Sequence, residues 1–207
     1  MPIRSDVERS DEATALLPLH ALIAERSVRA PHSPVIEADG MEALSNLALY
    51  ELYERTRAKL AALGFGAHSR IAVTASPGPE FAAAVTVIAA TAACAPMNPA
   101  LGRTEWREML IHLRIDALVA PKNSFSAREA AEALGLPLLN LVATTECGAG
   151  TFDLVSASTR VATGAPEQVA GLDDTAFVLA TSGTTSRPKV VPLTHRNIAN
   201  SAHNTGA

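Results

Sequence analysis

Nine consecutive residues, Thr181-Ser182-Gly183-Thr184-Thr185-Ser186-Arg187-Pro188-Lys189, combine five hydroxyl side chains, a glycine and two cations between two β-branched apolar runs. That mixture suits an anion, and a polyphosphate in particular. A triphosphate needs backbone N–H groups, hydroxyl donors and a cation where bulky side chains do not block its approach. Gly183 lets the backbone turn and come close, the Ser and Thr hydroxyls donate, and Lys189 supplies a point charge that Pro188 stiffens. By composition alone the stretch also reads as a polar surface loop. It is not the Walker A arrangement, which places G-x-x-x-x-G-K-[ST] between a strand and a helix. Here TAFVLA leads in and KVVPL leads out, so the loop joins two strands.

The elements that must hold this loop follow from the pattern upstream. IAVTA (71–75), DALVA (116–120), LLNLVA (138–143) and TAFVLA (175–180) are short runs bounded by turn residues and read as strands. Helical stretches lie between them, from about Glu80 to Ala93, from Arg103 to Leu113, and from a Ser126 cap to about Leu134. Alternating strands and helices with apolar runs predict a three-layer α/β/α fold with a mostly parallel sheet covered on both faces. Upstream, Leu17, Leu22, Ile23 and Val28 suggest an amphipathic helix closed by Pro31 and Pro34. A short strand PVIEA meets a turn at Asp39-Gly40. Ser45 caps a helix on which Leu49, Leu52, Thr56, Leu60 and Leu63 share one face, and Gly64 ends it. Residues 144 to 171 lose periodicity and read as a long connection, with a short strand possible at DLVS.

Composition narrows the function. The 207 residues are 48% hydrophobic and carry a net charge of −4 with no Lys/Arg run, which argues against a nucleic-acid partner. The two cysteines, Cys94 and Cys147, neither frame disulfides nor show metal-ligand spacing, and Cys94 reads as a small core residue. The polar N-terminus lacks a signal-peptide core, and the run from Phe81 to Ala95 is too short for a membrane span. The reading is a cytoplasmic protein. The six histidines show no metal spacing, Asp173-Asp174 reads as a solvated turn, and Trp106 as a packing or rim residue. His195, after the capping Thr194, is expected to make a local hydrogen bond.

The order of the residues adds more. TSGTTSRPKVV followed by PLTHRN resembles the phosphate loop of the adenylate-forming enzymes, the superfamily of acyl-CoA synthetases, whose pattern is [ST]-S-G-[ST]-T-G-x-P-K-G-V and then L-T-H-x-N. The stretches PHSPVIEADG, LALYELYERTRAKLAALGFGAHSRIAVTASPGPEF and AATAACAPMNPAL are similar to earlier segments of that family in the same order. Ser186 and Val190 stand where most members have glycine. The first, within T-S-R-P-K, is similar to the oxalate–CoA ligase branch. Val190 favours extended backbone and predicts a stiff loop exit.

The resemblance implies contacts from Thr181, Ser182, Gly183, Thr184, Thr185 and Lys189 to the β- and γ-phosphates of ATP, with Thr181 also a candidate magnesium ligand. It implies the N-terminal part of the large domain: an arm over residues 1–65 that packs on another subdomain, and an α/β subdomain over 66–207. It further implies a small-molecule carboxylate substrate, coenzyme A as thiol acceptor, and no catalytic residue within this stretch, which would be inactive alone. With its partner subdomain missing, the Leu49/Leu60 face would be uncovered and open to self-association. The alternatives are an adenylation domain that loads a carrier protein, and a non-catalytic nucleotide-binding module.

Overall fold

The computed structural model describes residues 16–144, 148–156, 169–181 and 188–205. Its centre is a seven-stranded sheet in the order β7-β6-β5-β3-β4-β8-β9. The strands are β3 (Arg70–Val73), β4 (Ala93–Pro96), β5 (Ala117–Ala120), β6 (Leu138–Ala143), β7 (Phe152–Ser156), β8 (Thr175–Thr181) and β9 (Lys189–Thr194). The five inner strands run parallel, and β7 and β9 close the edges antiparallel.

Both faces are covered, and the two-residue period of the strands sorts the side chains between them. Ile71, Val73, Val119, Leu139 and Leu141 enter one core with α3 (Pro79–Ala89) and α2 (Asn46–Ala62). Ala72, Leu118, Ala120 and Leu138 enter the other with Trp106 and Leu110 of α4 (Arg103–His112) and with the alanines of α5 (Phe125–Ala133). Small residues at these positions let the helices approach the sheet closely. The expected three-layer α/β/α arrangement and its four strands are therefore present.

Several local expectations change. The helix that the alanine-rich run favours stops at Ala89, because the chain turns at Thr91, whose hydroxyl donates to Val87 O, and enters the sheet as β4. Ala93–Pro96 fills the slot between β3 and β8. The tertiary position overrides helix propensity here. The α5 helix begins at Phe125 after Ser124, so Ser126 lies inside its first turn instead of capping it. DLVS belongs to β7, paired along its length with β6.

At the N-terminal end, α1 (Leu19–Arg29) buries Ile23 but leaves Val28 84% exposed. Five residues at 100° each carry Val28 about 140° away from Ile23, off the apolar face. A short antiparallel pair, β1 (Pro34–Ile36) and β2 (Leu44–Ser45), leads into α2. The Ser45 hydroxyl caps α2 by accepting from Ala48 N at 3.2 Å. The uncovered Leu49/Leu60 face does not occur. Leu49, Leu52 and Leu60 are buried in the same core as α3 and β3.

Candidate functional site

The loop of interest is the connection of an antiparallel pair. The ladder between β8 and β9 runs from Phe177↔Leu193 up to Ala180↔Val190 and Thr181↔Lys189. The outermost rung therefore joins the first and last residues of the hydroxyl-rich stretch, and both are exposed. The extended preference of Val190 now has a structural use, since it continues the ladder up to Lys189. A lysine that ends a paired strand has its backbone fixed while its ammonium stays in water. Ser182, Gly183, Thr184 and Thr185 lie outside the described residues, as do Ser186 and Arg187.

Both flanks of the loop are tied to rigid parts of the fold. On the entry side, β8 is hydrogen-bonded to β4 in the sheet interior, with Cys94 opposite Phe177. Cys94 is fully buried, and burial pushes its thiol pKa up, consistent with a packing role. On the exit side, His112 Nε2 lies 2.9 Å from Pro188 O. His112 is exposed, but it closes a helix whose Trp106 and Leu110 are 0% and 1% exposed. Trp106 is thus a core residue. Sequence reading passes over His112, since a lone histidine at the exposed end of a helix carries no pattern.

Below the loop, β9 runs directly into α6 (His195–Thr205). Thr194 and Asn197 cap it reciprocally: Thr194 N donates to Asn197 Oδ1 at 2.9 Å, and Asn197 N donates to Thr194 Oγ1 at 3.2 Å. His195 is 1% exposed, and its Nδ1 accepts from Leu19 N at 3.1 Å. The expected local bond is instead a contact across 176 positions, joining α1 to the start of α6. Burial holds the His195 pKa below its ordinary value, His20 adds to the effect, and Asp174 opposes it. Asp173 makes two bonds to Arg196, at 2.8 and 3.0 Å, and Asp174 accepts from Gly171 N. The acid pair therefore organises a turn.

A single hydroxyl at Thr181 is a hard oxygen donor of the type magnesium accepts, yet one hydroxyl is not a metal site. Among the described residues no group of three or more His, Cys, Asp or Glu could hold a metal ion. Magnesium would have to be carried largely by phosphate oxygens, as is usual for this ion. No helix among the described residues is long and apolar enough to cross a membrane. A separate cavity of about 180 Å³ opens near Thr74, Pro99, Asn123, Ser124 and Phe125.

The profile of the family described as AMP-binding enzyme matches residues 23–206. The oxalate–CoA ligase of Arabidopsis thaliana is 33% identical over 190 residues, covering 90% of this chain and 37% of that protein. Nonribosomal peptide synthetase 8 of Aspergillus fumigatus is 29% identical over 184 residues, covering 88% of this chain and 2% of that protein. Among solved structures, ATP-bound MatB from Rhodopseudomonas palustris superposes with a TM-score of 0.70 at 22% identity, over 90% of this chain and 36% of that one. This chain therefore spans little more than a third of the ligase and of MatB.

Proposed function

Because this chain belongs to the AMP-binding enzyme family, whose members are adenylate-forming, we propose that it carries the phosphate-handling part of an ATP-dependent acid–thiol ligase. In the proposed reaction a carboxylate oxygen attacks the α-phosphorus of ATP, the bond to the bridging oxygen breaks, and pyrophosphate leaves. The thiol sulfur of coenzyme A then attacks the acyl carbonyl, its proton is released, and AMP departs. Charge gathers on the β- and γ-phosphates as the first step proceeds. Donors and cations already in place stabilise it without reorganising. Thr181, Ser182, Gly183, Thr184, Thr185 and Lys189 would supply those contacts. Magnesium, when bound to the triphosphate, would neutralise part of the same charge, with the Thr181 hydroxyl as its protein ligand.

The observation that carries this reading is the Thr181↔Lys189 rung. It places a hydroxyl and an ammonium at the two mouths of one loop, on a backbone that the sheet holds still. The likeness to an oxalate–CoA ligase supports a small carboxylate as the substrate class, with oxalate the first acid to test. The likeness to a peptide synthetase supports a second acceptor, the thiol of a carrier protein. Residues for adenine, the acyl group and the adenylation lysine are expected from other segments of such enzymes. This stretch by itself should therefore bind weakly and not turn over.

Titration calorimetry with magnesium pyrophosphate and magnesium-ATP tests the assignment. Lys189 is exposed, so Lys189→Ala should leave the thermal midpoint unchanged. A charge-assisted contact contributes roughly 1.5–3 kcal/mol, so the variant should bind at least about ten-fold more weakly. Equal binding by the two proteins would remove the phosphate site from this loop. Carboxylate-dependent exchange of labelled pyrophosphate into ATP by the 207-residue chain itself would show that it is catalytically sufficient, contrary to expectation.

A further inference from the structure

The contact between His112 and Pro188 joins two parts of the chain 76 positions apart, at the peptide group immediately before Lys189. Pro188 has no backbone N–H, so its carbonyl is the one hydrogen-bonding group its backbone offers. A carbonyl oxygen only accepts, which assigns the proton of the His112 ring to Nε2. The peptide unit is planar, so fixing the Pro188 carbonyl also fixes the direction of the Lys189 N–H. Together with the Thr181↔Lys189 rung, this holds the Lys189 backbone from two sides: the ladder on one, the end of α4 on the other.

The anchor is rigid where it matters. α4 is seated by Trp106 and Leu110, both almost fully buried, while the His112 side chain is exposed and plays no part in that packing. A histidine used only to stabilise the core would sit on the other face of the helix. Arg103, Thr104, Arg107 and Glu108 are also exposed on α4. Among the described residues, none of these four side chains makes a hydrogen bond or ion pair with the β8–β9 pair.

We propose that His112 is a positioning residue for Lys189, orienting its backbone for polyphosphate binding through the Pro188 carbonyl. The proposal rests on the phosphate reading above and adds to it a residue from a different element. It touches no phosphate itself. Its effect is to fix the Lys189 backbone before the ligand arrives, so that less ordering of this residue remains to be done on binding.

Two variants of the 207-residue chain test it. His112→Gln keeps an N–H donor at similar reach, whereas His112→Leu keeps bulk and removes the donor. Both should stay folded, the leucine variant melting no more than about 2–4 °C below the wild type, because the side chain is outside the core. Magnesium pyrophosphate should bind about five-fold more weakly to the leucine variant, the factor associated with one net hydrogen bond. The glutamine variant should recover most of that loss. In the ligand-free chain, the carbonyl ¹³C resonance of Pro188 should shift in the leucine variant and stay near its wild-type position in the glutamine variant. An unshifted resonance, or leucine-variant affinity equal to wild type, would overturn the proposal. Should wild type and Lys189→Ala bind alike, the phosphate reading fails and the role of His112 fails with it. The Pro188 resonance would then still report whether the contact itself forms.

Discussion

At the residue scale, most of the polar side chains whose contacts can be followed serve to hold a backbone. Thr74 illustrates the economy: its N–H donates to Val119 O and its hydroxyl to Met97 O, so one residue ties together the ends of three neighbouring strands. His195 does the same over a longer span, accepting from Leu19 N. That bond requires an unprotonated Nδ1. The Nε2 of His195 and the Nδ1 of the nearby His20 are both buried with no partner among the described residues. Burial lowers the pKa of both rings, with Arg57 adding to the effect at His20. The sign of the pH dependence follows. In the unfolded chain both rings take a proton near the ordinary value of 6.5, while the folded chain resists until lower pH. The unfolded state then binds more protons, so stability is full above about 6.5 and falls as the pH drops below it. Thermal midpoints measured between pH 7.5 and 5 should decline for wild type and decline less for His195→Gln, even though that variant starts lower. Parallel slopes would place the titrating groups elsewhere.

At the scale of elements, the informative case is the segment that links β6 to β7. Gly150 has φ +75°, and a β-carbon there would lie 2.9 Å from Pro79 O, at the start of α3. The glycine is needed twice, for a left-handed conformation and for close approach to another backbone. Ala149 N also donates to Glu42 O at 2.7 Å, pulling the β1–β2 region onto the same junction. Gly150→Ala should therefore destabilise the chain by about 1–3 kcal/mol, the range for backbone strain of this kind. Urea unfolding followed by circular dichroism would measure it. A loss below about 0.5 kcal/mol would mean that the junction moves aside at little cost. The same substitution at Gly40 is a useful contrast: φ is +73° there, but nothing lies within 4 Å, so the strain enters without the clash.

At the scale of the whole molecule, the N-terminal helices and the sheet share one core. α2 contributes Leu49, Leu52, Tyr53 and Leu60 to the face formed by α3 and strands β3 to β7. α1 in turn packs along α2 and reaches α6 through His195. The described part of the first 65 residues should then unfold with the rest. Leu60→Ala, at a fully buried position, should cost roughly 2–5 kcal/mol and lower the protection of β3 and β5 amides as much as that of α2. If only α2 amides lost protection, the helix would be an independent appendage. A shared core also bears on the candidate site, because the strand that leads into the hydroxyl-rich loop is held by the sheet that α2 and α3 cover on one side.

Much of this was legible in the sequence, and the reasons are local. The strands at 71–75, 116–120, 138–143 and 175–180 announce themselves because strands buried on both faces read as unbroken apolar runs. The ordered hydroxyls, glycine and lysine of 181–189 carry the family resemblance, and the proposed polyphosphate site would constrain residue type as well as position. What the sequence left undecided depends on contacts distant along the chain. An alanine-rich run becomes β4 after Ala89 because the sheet had a place for it, and local propensity knows nothing of that place. His112 and Pro188 meet only because the crossover α4 returns its last turn to the exit of a hairpin 76 residues later. His195 finds Leu19 through 176 residues of intervening fold. Period and composition report which side chains are buried, whereas tertiary structure decides which of the remaining polar groups come within 3 Å of one another, and so which of them can act on the loop.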